Sequence, residues 1–225
     1  MAAWRGFLVL LAACLALAVL HPEARDFSGL REQLAARLDP SRWPLLDDWL
    51  GMIVEVGALE EEVRLIHVND FINSRITFED DVSVWGQSDY WATPLQTLSM
   101  RRGDCEDFAI IKYVSLRLAG VPGDKLRLVY AKARLDGLAK EPVWVAHMVL
   151  AYYPAPNAEP LILDNLDTAI QPASQRPDLQ PVFSFSSDGI FAGVSGQGAA
   201  KAAVGIDRLS RWEDAWRRIL ADAYE

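Results

Sequence analysis

A chain of 225 residues that is 51% hydrophobic and 24% charged carries enough apolar material for a buried core, which excludes a disordered tail, a collagenous chain and a disulfide-stapled miniprotein. Lys and Arg total 22 against 31 Asp and Glu, a formal net charge of −9 with no basic stripe, and this argues against a nucleic-acid partner. Two cysteines, Cys14 and Cys105, and three histidines, His21, His67 and His147, are all that nucleophilic or soft-metal chemistry can draw on.

Residues 1–24 read as an address. Arg5 precedes an apolar run from Phe7 to Leu20, the secretory pattern, and the run falls short of the about 20 residues a membrane-spanning helix needs. A signal cleaved near Ala24 is the favoured reading, with an uncleaved anchor as the alternative. Leu11-Ala12-Ala13-Cys14 resembles a lipoprotein box, but the apolar run continues past Cys14, where a lipoprotein turns polar. Each reading places residues 25–225, expected to be a single domain, outside the cytoplasm, in the periplasm. With the signal removed, Cys105 is an unpaired thiol in an exported protein, an unusual circumstance.

From Asp26 to about Arg75 the pattern is helical. One segment is Phe27–Leu38, closed by Asp39-Pro40; a second runs from Pro44 to about Glu55; a third covers Glu60–Ser74. Residues 76–99 read as mixed loop. Gly103-Asp104-Cys105 opens a helix to about Leu118, with Asp104 as its N-cap, so apolar that it is expected to be central and buried. Gly120 and Pro122 stop it. The period then changes: Lys125–Leu135, Pro142–Tyr153, Pro160–Leu163 and Val182–Phe185 read as strands. Residues 192–205 read as a loose loop, and Arg211–Tyr224 as a terminal helix with Trp212, Trp216, Ile219 and Leu220 inward. Helices first and antiparallel strands after predict an α+β fold, with N-terminal helices and a central helix packed on an antiparallel sheet.

Cys105 falls in the first turn of the central helix, where unpaired backbone N–H groups favour a thiolate and its own N–H can face an oxyanion. A buried bystander cysteine is the plain alternative. A nucleophile needs a base, and His67 lies within a helix, where it reads as a structural or surface residue, whereas His147 sits in the otherwise almost wholly apolar strand Pro142–Tyr153. Asp164 closes the next strand. A hairpin centred near residues 155–156 would set it beside His147, to hold the imidazole.

A cysteine on a helix N-terminus, a histidine on a strand and an aspartate on the next strand resemble the papain and transglutaminase superfamily. The motifs Trp91-Ala92-Thr93-Pro94, Arg102-Gly103-Asp104-Cys105-Glu106-Asp107, Ala146-His147-Met148-Val149-Leu150 and Leu163-Asp164-Asn165 resemble more narrowly the bacterial transglutaminase-like cysteine proteinases of the LapG type. The resemblance spans Phe27 to the C-terminus and is least distinctive after about Asp188. It implies a papain/transglutaminase-like fold and a periplasmic endopeptidase with Cys105, His147 and Asp164 as triad. Its substrate would be the N-terminal region of a large surface adhesin, cut at a paired-alanine site, and release of the adhesin disperses a biofilm. An inner-membrane receptor for cyclic di-GMP would inhibit it through its periplasmic domain.

Asp104, Glu106 and Asp107 surround the thiol, and bare negative charge there opposes thiolate formation. They either favour the helix N-terminus or hold a cation such as Ca2+, which takes carboxylate and carbonyl oxygens. The resemblance implies calcium dependence, with Asp104, Glu106 and Asp107 as ligands. One turn cannot complete such a site, so further ligands are expected from residues 79–89. Zinc is disfavoured, because one cysteine and His147 are too few soft ligands. Trp85 and Trp91 precede the nucleophile as packing residues, cleft walls or an indole N–H near the oxyanion. Two rivals remain: acyl transfer or amide hydrolysis with the same triad, and a non-catalytic calcium-binding module that docks to a membrane receptor.

Overall fold

The computed structural model describes residues 26–136, 142–187, 189–192 and 206–224. Three helices lead: α1 (Ser28–Ala36), α2 (Trp43–Val56), with Pro44 in its first turn, and α3 (Glu61–Arg75). Two of them, α2 and α3, pack on α6 (Cys105–Leu118), whose residues from Asp107 to Leu116 are all buried. That helix is apolar on nearly every side because it has no solvent face to serve. Within it Ser115 accepts the Trp49 indole N–H at 2.8 Å and donates to the Ile111 carbonyl at 2.6 Å.

On the other side of α6 lies an antiparallel sheet of β3 (Leu126–Leu135), β4 (Val143–Tyr152), β5 (Leu161–Leu163), β6 (Gln171–Pro172), β7 (Leu179–Ser186) and β8 (Gly189–Ala192), in the order β6-β5-β4-β3-β7-β8. β3 and β4 pair along their whole length, from Leu126 with Tyr152 to Leu135 with Val143. β5 is short and pairs with β4 only at Leu150–Tyr152, so the β4 edge carrying residues 143–149 is not covered by β5. A separate parallel pair, β1 (Thr77–Phe78) with β2 (Arg102–Gly103), ties the end of α3 to the turn that precedes Cys105.

The expected helices and strands are present, and so is the α+β arrangement, with four local corrections. Residues 76–99 are not simply loop: α4 (Asp81–Trp85) and α5 (Pro94–Met100) form there, α5 opening on a capping box between Thr93 and Gln96 with Pro94 in its first turn. Asp104 occupies the N-cap position of α6 but makes no side-chain cap hydrogen bond. The hairpin register differs, since Leu150 pairs with Leu163; the line continued would put Leu166 opposite His147, so Asp164 reaches the imidazole diagonally from a bend. The terminal helix α7 (Ile206–Tyr224) starts earlier than Arg211, and while Trp212 and Ile219 are buried, Leu220 is exposed. The segment expected as a loose loop lies, from residue 193 on, outside the described residues, as do residues 1–24 with Cys14 and His21. Among the described residues no helix is long and apolar enough to cross a membrane.

Replacing Ser115 with Ala leaves the Trp49 indole N–H buried without a partner. The expected loss of stability is about 1–3 kcal/mol by urea denaturation, and an unchanged midpoint would show that this bond does not tie α2 to α6.

Candidate active site

The turn that starts α6 brings chemistry together because β1–β2 pairing and a close backbone approach fix it. A Cβ at Gly103 would lie 2.5 Å from Asp107 Oδ2 and 2.7 Å from Asp107 Cβ, so only glycine lets the Asp107 side chain fold back over the turn. Cys105, half-buried, begins the helix. Its thiol donates to Glu106 Oε2 at 2.9 Å, and the Met148 N–H on the open edge of β4 points to the sulfur. Met148 is the residue after His147, so the thiol lies against the part of the strand that carries the imidazole.

His147 is 3% exposed and Asp164 1%. His147 Nε2 lies 2.7 Å from Asp164 Oδ1, which also accepts the backbone N–H groups of Asn165 at 2.6 Å and Leu166 at 3.1 Å. Asp164 Oδ2 accepts Arg176 Nη2 at 2.7 Å, and Arg176 is itself held by Asp178 through Nε at 3.0 Å and Nη2 at 2.8 Å. The Asp164 carbonyl takes two more donors, Lys112 Nζ and Asn73 Nδ2, each at 2.9 Å. Burial works to raise the Asp164 carboxyl, but the hydrogen bonds and charges of His147 and Arg176 outweigh it and hold the group well below the usual carboxylate range. Burial lowers Lys112 to about 7.

On the other side of the thiol the carboxylates lack such partners. Asp81, Asp104 and Asp107 each offer one oxygen within 4.8 Å of the others, and Asp104 and Glu106 cluster likewise with the Cys105 sulfur. Asp81 Oδ2 accepts the Tyr90 N–H and Asp107 Oδ1 the Ala92 N–H at 2.7 Å. Asp81 Oδ1, Asp104 Oδ1 and Asp107 Oδ2 are buried with no hydrogen-bond partner. Burial, then the neighbouring negative charges, raises Asp104 to about 10 and Asp107 well above the ordinary range. Burial also raises Asp81 to about 6. The same two causes, with Glu106 the larger charge, push the Cys105 thiol up. Three orphaned carboxylate oxygens facing one another form an oxygen-only donor set suited to a hard divalent cation.

All six residues singled out from the sequence therefore fall in one region: Cys105, Asp104, Glu106 and Asp107 on one turn, His147 and Asp164 hydrogen-bonded beside it. Asp81 comes from the 79–89 segment expected to add ligands. Arg176, Lys112 and Asn73 were not legible, since an arginine in a loop, a lysine on an apolar helix and an asparagine on an amphipathic one carry no spacing signal. His67 is exposed on α3. Trp91 is core, stacked on Phe185 with its N–H on Asp89 Oδ1 at 3.0 Å. Trp85 packs on Tyr90, and its indole nitrogen is buried without a partner among the described residues.

The family model described as bacterial transglutaminase-like cysteine proteinase BTLCP matches residues 55–178. LapG of Legionella pneumophila is 35% identical, with 87% of this chain and 98% of that chain covered and a TM-score of 0.69. Its calcium-bound form is 35% identical over 84% of this chain and 97% of that one, and its EGTA-treated form 34% over 87% and 98%, each with a TM-score of 0.69. None of the curated proteins matches. The helix-and-sheet arrangement described above is thus a transglutaminase-like cysteine protease fold.

Because Asp81, Asp104 and Asp107 bind protons more tightly folded than unfolded, rising pH strips protons the fold needs. In chelator the thermal midpoint is expected to decrease as the pH is raised from about 4.5 to about 6, below the range where Lys112 titrates, and a divalent cation is expected to remove that slope. A midpoint that is flat or rises with pH in chelator contradicts the electrostatics of the cluster.

Proposed function

The chain belongs to the bacterial transglutaminase-like cysteine proteinases, and from that premise we propose that it is an exported, calcium-dependent endopeptidase that cuts the N-terminal region of a large surface adhesin. The observation that carries the reading is the buried His147–Asp164 hydrogen bond on the strand against which the Cys105 thiol lies. With Nε2 engaged by Asp164, His147 has Nδ1 left for the thiol proton.

In this mechanism the Cys105 sulfur gives its proton to His147 Nδ1 and attacks the scissile carbonyl as thiolate, favoured by the α6 N-terminus. The Cys105 backbone N–H, one of the first-turn donors that no helical carbonyl accepts, stabilises the oxyanion. The C–N bond breaks, the amine leaves with the proton from His147, and the acyl part stays on sulfur as a thioester. Water, deprotonated by His147, then releases the acid and restores the thiol. Asp164 holds the imidazole through both steps.

Asp81, Asp104, Glu106 and Asp107 are the residues that would hold calcium. Bound there, the ion supplies positive charge that offsets the carboxylates around the sulfur. The reading draws on the calcium-bound and EGTA-treated forms of the relative and on the three orphaned oxygens. Adhesin release, biofilm dispersal and inhibition by a cyclic di-GMP receptor of the inner membrane follow from the family resemblance.

The test is incubation of the chain with a recombinant adhesin N-terminal fragment, in calcium or in chelator, read by fragment mass. A calcium-dependent cut between small residues, lost in Cys105→Ala, is expected. A joined product would indicate acyl transfer, and no cut by folded protein would contradict the proposed activity. Asp81→Asn is expected to raise the calcium concentration needed for half-maximal cleavage by at least about tenfold, the scale of one removed charged ligand contact. An unchanged requirement would take Asp81 out of the site.

A further inference from the structure

An aspartate that orients a histidine must be ionised. A carboxylate accepts the Nε2–H of the imidazole and leaves Nδ1 bare as a base. A protonated carboxyl donates to Nε2, which puts the ring proton on Nδ1 and removes the base. Asp164 is 1% exposed, and a neutral imidazole brings no charge to offset it there. Something buried must supply that charge.

The charged and titratable groups around the pair are few. From α6, Lys112 Nζ binds the Asp164 carbonyl and not the carboxylate, and it also faces Asp70 of α3. From β4 comes His147, and from the start of α6 the Cys105 thiol with Glu106. From the segment after β5 come Arg176, Asp167, whose Oδ2 is 4.0 Å from Arg176 Nε, and Asp178. Among the described residues only Arg176 places a cation on the carboxylate itself, 2.7 Å from Oδ2, and it is 3% exposed. Asp178 fixes its orientation from the far side.

We propose that Arg176 is a positioning residue: its guanidinium is the buried counter-charge that keeps Asp164 ionised and thereby holds His147 in the tautomer whose bare Nδ1 serves Cys105. The proposal rests on the triad reading above. Substituting Arg176 lets Asp164 take a proton, the ring proton moves to Nδ1, and the thiol loses its acceptor. Substrate binding is untouched, because Arg176 meets no reacting atom.

The experiment uses the full chain with 15N-labelled histidine, comparing Arg176 with Arg176→Met, Arg176→Gln and Arg176→Lys. The His147 signals are assigned by their loss in His147→Gln. The 15N shifts report the tautomer without any substrate. Wild type and Arg176→Lys are expected to show the Nε2–H form, and Arg176→Met a shift toward Nδ1–H. In cleavage assays kcat falls about 100-fold in Arg176→Met with KM little changed, and Arg176→Lys restores most of it. Arg176→Gln keeps a hydrogen-bond donor without the charge, so it tests the idea even where Met disrupts folding, and it is expected to behave as Met does. An Nε2–H tautomer and wild-type kcat in folded Arg176→Gln would overturn the proposal. Absence of cleavage by wild type would count against the protease reading alone, since the tautomer comparison stands without it.

Discussion

Asp164 is the point at which four parts of the chain are tied together. Asn73 reaches it from α3, Lys112 from α6, His147 from β4, and Arg176 from the loop before β7. A carboxylate this buried is stable as an anion only if each oxygen is answered by donors, and here both carboxylate oxygens and the carbonyl are. The helix that carries the thiol and the strand that carries the imidazole are therefore both referred to one residue. Their relative placement is set by hydrogen bonds as well as by apolar packing.

The opposite electrostatic arrangement lies on the far side of the sulfur. Asp81, Asp104 and Asp107 also lie in the interior, but each keeps an oxygen with no donor, and their pKa values move up where that of Asp164 moves down. The same side chain thus has two meanings according to its neighbours. Donors and a guanidinium make Asp164 a permanent anion. Burial and mutual repulsion, with no side-chain cation among the described residues on any of their oxygens, leave the other three an oxygen-only set of the kind a hard divalent cation suits. Gly103 leaves room for the Asp107 side chain of this second group beside the turn that carries Cys105.

Cys105, His147 and Asp164 could be singled out because such residues are scarce and the elements that carry them are strongly patterned. One thiol at a helix start, one histidine in an apolar strand and one aspartate at a strand end left few combinations, and the motif resemblance reinforced them. The hairpin register was less legible, since the bend after Leu163 and not strand pairing alone brings Asp164 to His147. The short helices within residues 76–99 were hidden by their length, although Thr93-Pro94 with Gln96 is a helix-start signal. Arg176 and Lys112 were invisible for a different reason: their roles depend on where a loop and a helix face fall in space, which no periodicity records.

The proposed reaction passes through a thioester between Cys105 and the N-terminal part of the cleaved peptide. Acid quenching of the chain during turnover of an adhesin fragment in calcium, followed by intact mass and peptide mapping, tests it most directly. The N-terminal product is predicted to appear as a thioester on Cys105, and to accumulate only when His147 and Asp164 are intact. Steady cleavage with no acyl adduct on Cys105, even at the shortest quench times, would contradict the assignment of the nucleophile.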